Sequence, residues 1–189
     1  MRSIYRLQLS EPTATVLNIL QRELDAHEQP HTEVAHAWKQ KDSRRNGQKA
    51  FEEVRSCLNQ MAPGRARCMY CEDSHGTDIE HFWPKSGYPQ WAFSWNNYLL
   101  ACSECNSNNK RTQMPTDASG AALLLDPTCD ETLDHFDFVP ETGYLVPRTE
   151  RGQVTAEVLG LNRRQVLRDG RMHTWTALSE MLRGYANAH

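Results

Sequence analysis

Cys68-Met69-Tyr70-Cys71, Asp78-Ile79-Glu80-His81 and Trp95-Asn96-Asn97-Tyr98-Leu99-Leu100-Ala101-Cys102-Ser103-Glu104-Cys105-Asn106 follow one another along a single stretch of the chain. Two residues between thiolates let a tight turn aim both sulfurs at one ion, and two such turns complete a tetrahedral four-cysteine site. Cys68, Cys71, Cys102 and Cys105 are therefore the expected ligands of a structural zinc. A redox C-x-x-C comes once, at the start of a helix after a strand, so the duplication argues against it. Four thiolates close the ion's coordination sphere, which suits it to holding structure and not to hydrolysis. The 30 residues between the pairs exceed what a minimal zinc ribbon needs, so the two turns hold something between them.

That interval carries the chemistry. Glu80 beside His81 offers a carboxylate for a divalent cation and an imidazole that titrates near neutral pH. Asn106, directly after the last cysteine, is an oxygen ligand suited to Mg²⁺ or Mn²⁺. If Asn106 opens a helix, Lys110 lies one turn along the same face, within reach of a phosphate. Adjacent residues of a regular strand point to opposite sides, so a shared role for Glu80 and His81 requires the strand to break there, and Pro84 lies just beyond.

The pattern C-x-x-C … E-H … N-x-x-x-x-C-x-x-C-N resembles the HNH, or ββα-metal, nucleases built on a four-cysteine zinc cradle. The resemblance implies Glu80 and Asn106 as ligands of a catalytic Mg²⁺ or Mn²⁺ and His81 as the general base. It implies Asn97 as the amide that fixes the loop, since Asn97 lies five positions before Cys102, with Asn96 as the fallback. Lys85 and Lys110 are the candidate substrate contacts, although Lys110 lies one residue further along than the form C-N-x-x-K places it. A wider set of phrases, YCEDS, DIEHFWPKS, WNNYLLACSECN, LLLDP and VLGLNRRQVL, resembles the PtuB family of nuclease subunits from the Septu type of bacterial anti-phage system, also found in some retron loci. That likeness implies an ATPase partner of the PtuA type, related to ABC and SMC proteins. It also implies a nucleic-acid substrate, with DNA favoured over RNA.

Outside this core the chain reads as helix before it and mixed structure after it. Leu17, Leu20 and Leu24, then Phe51, Val54, Leu58 and Met61, recur at helical spacing around a polar loop over 39–48. Pro63-Gly64 stops the second run. His135–Val139 and Tyr144–Val146 flank Glu141-Thr142-Gly143 as a hairpin. Asn162 with Gln165 reads as an N-cap and its reciprocal partner, opening a last helix marked by Leu167, Trp175, Leu178, Leu182 and Tyr185. The expected fold is α+β: an N-terminal helical segment (1–64), a ββα-metal zinc core (65–117), and a C-terminal hairpin plus helix (118–189) packed as one domain with the core.

The 189 residues are 39% hydrophobic and 24% charged, with a net charge of −3, which permits a packed core. The charge is uneven. Residues 1–67 sum to +3, residues 68–126 to −4 and the remainder to −2. A polyanion bound at the acidic middle would draw its cations from a metal or from the flanks. Six arginines between Arg148 and Arg171 read as a solvated face, with backbone or partner contact as the second reading. Of Trp83, Trp91 and Trp95, two are expected in the core. His75 is expected exposed, Cys57 buried, and Cys129 a bystander in a turn. No run of about 18 apolar residues is present and the first residues lack an apolar leader, so the expectation is a cytoplasmic protein without a membrane span, with a homodimer inside a larger complex allowed. The alternative to an enzyme is a four-cysteine module that only binds nucleic acid or scaffolds a complex.

Overall fold

The computed structural model describes residues 1–188. Its first third is three helices whose apolar stripes face one another. Helix α1 (Glu11–Asp25) opens with Pro12 in its first turn and buries Leu17, Leu20 and Leu24. Helix α2 (Pro30–Gln40) again begins on a proline, which already has the helical φ and lacks only an N–H that no helical carbonyl would accept. The polar interruption is shorter than the sequence suggests. It is confined to a 3₁₀ turn at Lys41–Ser43 and the residues up to Asn46, while a second break falls at 26–29, ahead of Pro30. Helix α3 (Gly47–Met61) buries Ala50, Phe51, Val54, Leu58 and Met61.

The middle of the chain has the order strand, strand, helical turn. Strand β1 (Asp78–His81) pairs antiparallel with β2 (Tyr98–Ala101), with Glu80 opposite Leu99 and His81 opposite Tyr98. A wide π-type helical turn (Glu104–Lys110) follows the second cysteine pair. Gly76, just before β1, admits no side chain: a Cβ there would lie 2.4 Å from Leu100 Cγ. The first cysteine turn thus packs flat on β2.

The C-terminal part adds the expected hairpin, β3 (Phe136–Val139) and β4 (Tyr144–Pro147), turned by Gly143 at φ 66°. Helix α4 (Glu150–Val158), unforeseen from the sequence, is capped by Thr149 Oγ1, which accepts from Gly152 N at 3.1 Å. Helix α5 (Gln165–Ala188) closes the chain. Asn162 does not cap it. Its side chain binds both backbone groups of Leu145, accepting at 2.9 Å and donating at 2.7 Å, and so ties the helix approach to β4.

The architecture is α+β with two small antiparallel sheets. One hydrophobic cluster runs through all three regions, from Leu24, Phe51 and Leu58 through Met69, Tyr98 and Leu99 to Leu124, Leu159 and Leu167. No helix among the described residues is long and apolar enough to cross a membrane.

Candidate metal and catalytic site

The four cysteines converge. Their sulfurs lie within 4.8 Å of one another and all four residues are buried. Backbone hydrogen bonds shape both turns: Cys68 N donates to Ser74 O at 2.8 Å, Glu72 N to Cys68 O at 2.9 Å, and Cys105 N to Cys102 Sγ at 3.4 Å. Met69 N donates to Leu100 O, which pins the first turn to β2. Hydrogen bonding to Cys102 is the largest influence on the other three thiols, raising Cys68 and Cys105 and lowering Cys71. Sulfurs this close bind a dication as thiolates, and this donor set fits zinc.

Most of the arginines from Arg151 to Arg171 are half-buried and bonded within the molecule, while Arg148 and Arg163 stay exposed, so the six do not form one freely solvated face. Arg164 donates to Cys105 Sγ at 3.2 Å and to the carbonyls of Leu159 and Gly160. Arg171 holds the carbonyls of Gly143 and Leu161, Arg163 holds Asn109, and Arg151 grips Asp130 through two 2.7 Å bonds. Arg164 in particular sets a positive charge against the cluster's sulfurs, the kind of outer contact that tunes a thiolate site.

Glu80 and His81 sit at the end of β1 and face different ways. Strand β1 continues through His81, so the break expected between the two is absent. On one side Asp78 and Glu80 face the π-type turn. There Asn106 Nδ2 donates to Asp78 Oδ2 at 3.0 Å, and Lys110 Nζ lies 2.6 Å from Glu80 Oε1. Lys110 also donates to His81 O at 2.9 Å and has no exposed surface. The substrate contact expected of Lys110 is therefore not available to it: its ammonium is the buried counter-ion of Glu80. Burial is the largest influence on Glu80 and raises its carboxyl above the usual range against the pull of Lys110.

On the other side the His81 ring lies under the N-terminal helices. Trp38 of α2 stands edge-on to it with centroids 4.4 Å apart, and Tyr98 packs beside it at 5.3 Å. Nε2–H donates to Ala92 O at 3.0 Å, which fixes the tautomer and leaves Nδ1 as the basic nitrogen. Burial lowers the His81 pKa to about 3, with help from the positive charges of Lys85, Lys110 and Lys41, so the ring is neutral at pH 7. Lys85 is half-buried over the Trp38 ring, and its charge acts on Glu80 as well as on His81.

Asn97 holds the loop that carries Ala92. Its side chain accepts from Trp83 N at 2.7 Å and donates to Trp83 O and Trp91 O, each at 2.9 Å. Asn96 offers only a backbone carbonyl, taken by Arg6. The helical segment grips the same loop from outside, with Gln21 bonding Pro89 and Phe93 and His31 donating to Ser86 O. Trp83 and Trp95 pack against the core, whereas Trp91 is exposed. The sequence reading did not single out Trp38, Lys41 or Asp78. Asp78 was legible by its two-residue spacing from Glu80, but nothing local marks Trp38 or Lys41.

Asp78, Glu80 and Asn106 offer oxygen donors of the kind a hard dication takes. Lys110 Nζ already stands 2.6 Å from Glu80 Oε1, so a dication taken there would share that carboxylate with a buried ammonium. The residues fit such an ion in chemistry, with Lys110 as a resident cation alongside it.

No family model matches the chain. Among curated proteins it is 31% identical over 146 residues to a Septu protein PtuB of Bacillus mycoides (strain KBAB4), covering 61% of this chain and 48% of the relative. It is likewise 31% identical over 101 residues to a Septu protein PtuB of Bacillus thuringiensis, covering 51% of this chain and 37% of that relative. The chain spans less than half the length of each of these two relatives, and over the matched part it is similar to Septu PtuB.

Proposed function

We propose that this chain is a metal-dependent HNH endonuclease, the effector of a bacterial anti-phage system, which hydrolyses phosphodiester bonds in nucleic acid, DNA in preference to RNA. The observation that carries the reading is His81: a neutral imidazole whose Nε2–H is committed to Ala92 O, leaving Nδ1 to receive a proton, next to a buried carboxylate and beside a four-sulfur cluster. In this reading Nδ1 takes the proton of the attacking water. Glu80 and Asn106 hold Mg²⁺ or Mn²⁺, which when bound supplies Lewis-acid stabilisation of the crowded phosphate and the leaving oxygen. Lys85 neutralises a phosphate oxygen, Asn97 keeps the Ala92 carbonyl in place, and zinc on the four cysteines fixes the hairpin against the π-type turn. The likeness to Septu PtuB supports the defence setting and the ATPase partner of the PtuA type.

One observation favours the non-catalytic reading, in which the zinc module only binds or scaffolds. His81 and Glu80 are 5% and 3% exposed, so substrate reaches them only after a rearrangement, which on the His81 side involves Trp38. The deciding experiment incubates wild type and His81→Ala, each alone and co-purified with the ATPase subunit, with plasmid DNA and with RNA in Mn²⁺ or Mg²⁺. The enzyme reading expects cleavage by wild type that His81→Ala lowers by at least about a hundredfold. Identical products from both proteins would overturn it.

A further inference from the structure

The face that seats α5 on the body runs on uncovered. Leu167, near its start, is 2% exposed, whereas Trp175, Leu178, Met181 and Leu182 are 48, 52, 71 and 68% exposed. At about 1.5 Å per residue, the stretch beyond Arg171 reaches roughly 25 Å. Trp175, Leu178 and Leu182 repeat at three and four residues, the spacing of a coiled-coil seam. The seam's flanks are small and uncharged (Thr174, Ser179 and Ala186), while Glu180 and Arg183 fall on the opposite side of the helix. A solvated helix would not place its apolar residues in one stripe and its charges behind it.

Beside the seam lies a groove of about 780 Å³ with an apolar wall that includes Leu133, Phe138, Leu145, Trp175 and Leu178. Its other wall is charged and includes Arg67, Glu72, Asp73 and Arg171. Leu133 is itself 68% exposed. We infer that α5 is a self-association helix, and that the occupant of the seam and groove is a second copy of this chain in antiparallel pairing.

Both halves of such an interface are present on one chain. The exposed apolar half-helix and the apolar wall of the groove complement each other, so a two-fold axis satisfies both at once. The three seam side chains and Met181 beside them together expose roughly 500 Å², and with the groove's apolar wall each copy approaches the ~800 Å² that a stable interface covers on each partner. Antiparallel pairing sets Leu178 of one copy on Leu182 of the other and brings the C-terminal half of each α5 over the other's groove beside Trp175. Parallel pairing would leave both grooves open.

The test is sedimentation of the full zinc-loaded chain. Wild type is expected to be a dimer at about 20 µM, with dissociation shifted at least about a hundredfold in Leu178→Lys and in Leu182→Glu. Because 178 meets 182 across the axis, mixing these two monomeric variants is expected to restore a mixed dimer. Unchanged far-UV circular dichroism and zinc content separate loss of pairing from loss of fold. Wild type that stays monomeric at about 100 µM, or variants that remain dimeric, would overturn the inference, and a mixture that stays monomeric would overturn the antiparallel pairing.

Discussion

Lys110→Met isolates the energetic device on which the candidate site is built. Lys110 Nζ lies 2.6 Å from Glu80 Oε1, and both side chains are removed from water (0% and 4% exposed). Methionine keeps the length and packing of the lysine stem and removes only its charge and the bond to His81 O. Deleting one partner of a buried pair leaves an uncompensated charge, which costs about 3–5 kcal/mol. For a chain of this size that is a fall in melting temperature of roughly 6–20 °C. The sign of the pH dependence follows from Glu80. Its folded-state pKa already lies above the ordinary carboxyl value and rises further without Lys110. The folded variant then binds the proton more tightly than the unfolded chain. Its stability is therefore retained at low pH and lost as pH rises through the elevated pKa. Urea unfolding followed by tryptophan fluorescence, with zinc in excess from pH 5.5 to 8, measures both effects. The double variant Glu80→Gln/Lys110→Met removes the stranded charge and should recover most of the loss. A cost below about 1 kcal/mol at pH 7, or a double variant no more stable than the single one, would refute the buried pair as described.

Three further expectations concern the rest of the site. The folded-state pKa of His81, about 3, lies below the ordinary 6.5, so its contribution to stability is complete above pH 6.5 and is lost as pH falls toward 3, about 4–5 kcal/mol in all. Nitrogen NMR should show a neutral Nε2–H ring down to pH 5 in wild type and a higher pKa in Trp38→Ala, and a wild-type midpoint near 6.5 would contradict the burial argument. Cys102→Ser should lower zinc from one equivalent and reduce melting, and Arg164→Ala, which strips the hydrogen bond from Cys105 Sγ, should speed zinc transfer to a colorimetric chelator. One tightly held zinc with unchanged melting in Cys102→Ser would count against the four-sulfur assignment. Asn97→Ala deletes three buried hydrogen bonds and should cost about 2–4 kcal/mol, whereas Asn96→Ala should cost less than about 0.5; equal losses would remove the reason for choosing Asn97.

What could be read from the sequence was whatever depends on short spacing. Two thiolates three positions apart can share an ion whatever the remainder of the chain does, and Leu17, Leu20 and Leu24 mark a buried helical stripe within α1 alone. The hairpin at β3 and β4 was marked by its own turn residues. The misreadings arose where a charged side chain took its partner from far away. The one-turn spacing from Asn106 points Lys110 toward a phosphate, and only the packing of the π-type turn against β1 shows that Glu80 waits inside. The arginines of the last third look like a solvated face for the same reason, since their acceptors, including a cysteine sulfur and several backbone carbonyls, cannot be inferred from spacing. Trp38 left no signal because its contact with His81 joins two segments that no local rule connects.

Adjacency along the chain also misleads about adjacency in the site. The two-residue period of a strand sends Glu80 and His81 to opposite faces, and β1 keeps that period to its end. Glu80 therefore shares its side with Asp78, Asn106 and Lys110, while His81 shares its side with Tyr98 and Trp38. Both feel the fields of Lys110, buried between them and the π-type turn, and of Lys85, half-buried at the mouth of the loop that begins where β1 stops. A phosphate that served both groups would have to enter at that end, where the strand no longer separates them and Lys85 supplies the first positive charge. Trp38 stands against His81 and under Lys85, so under the proposed nuclease reading one displacement of α2 would both uncover the base and open that end to a phosphate. Restraint and chemistry would then be set by one contact, and Trp38→Ala should change cleavage and the His81 pKa together; a variant that moved one without the other would separate them.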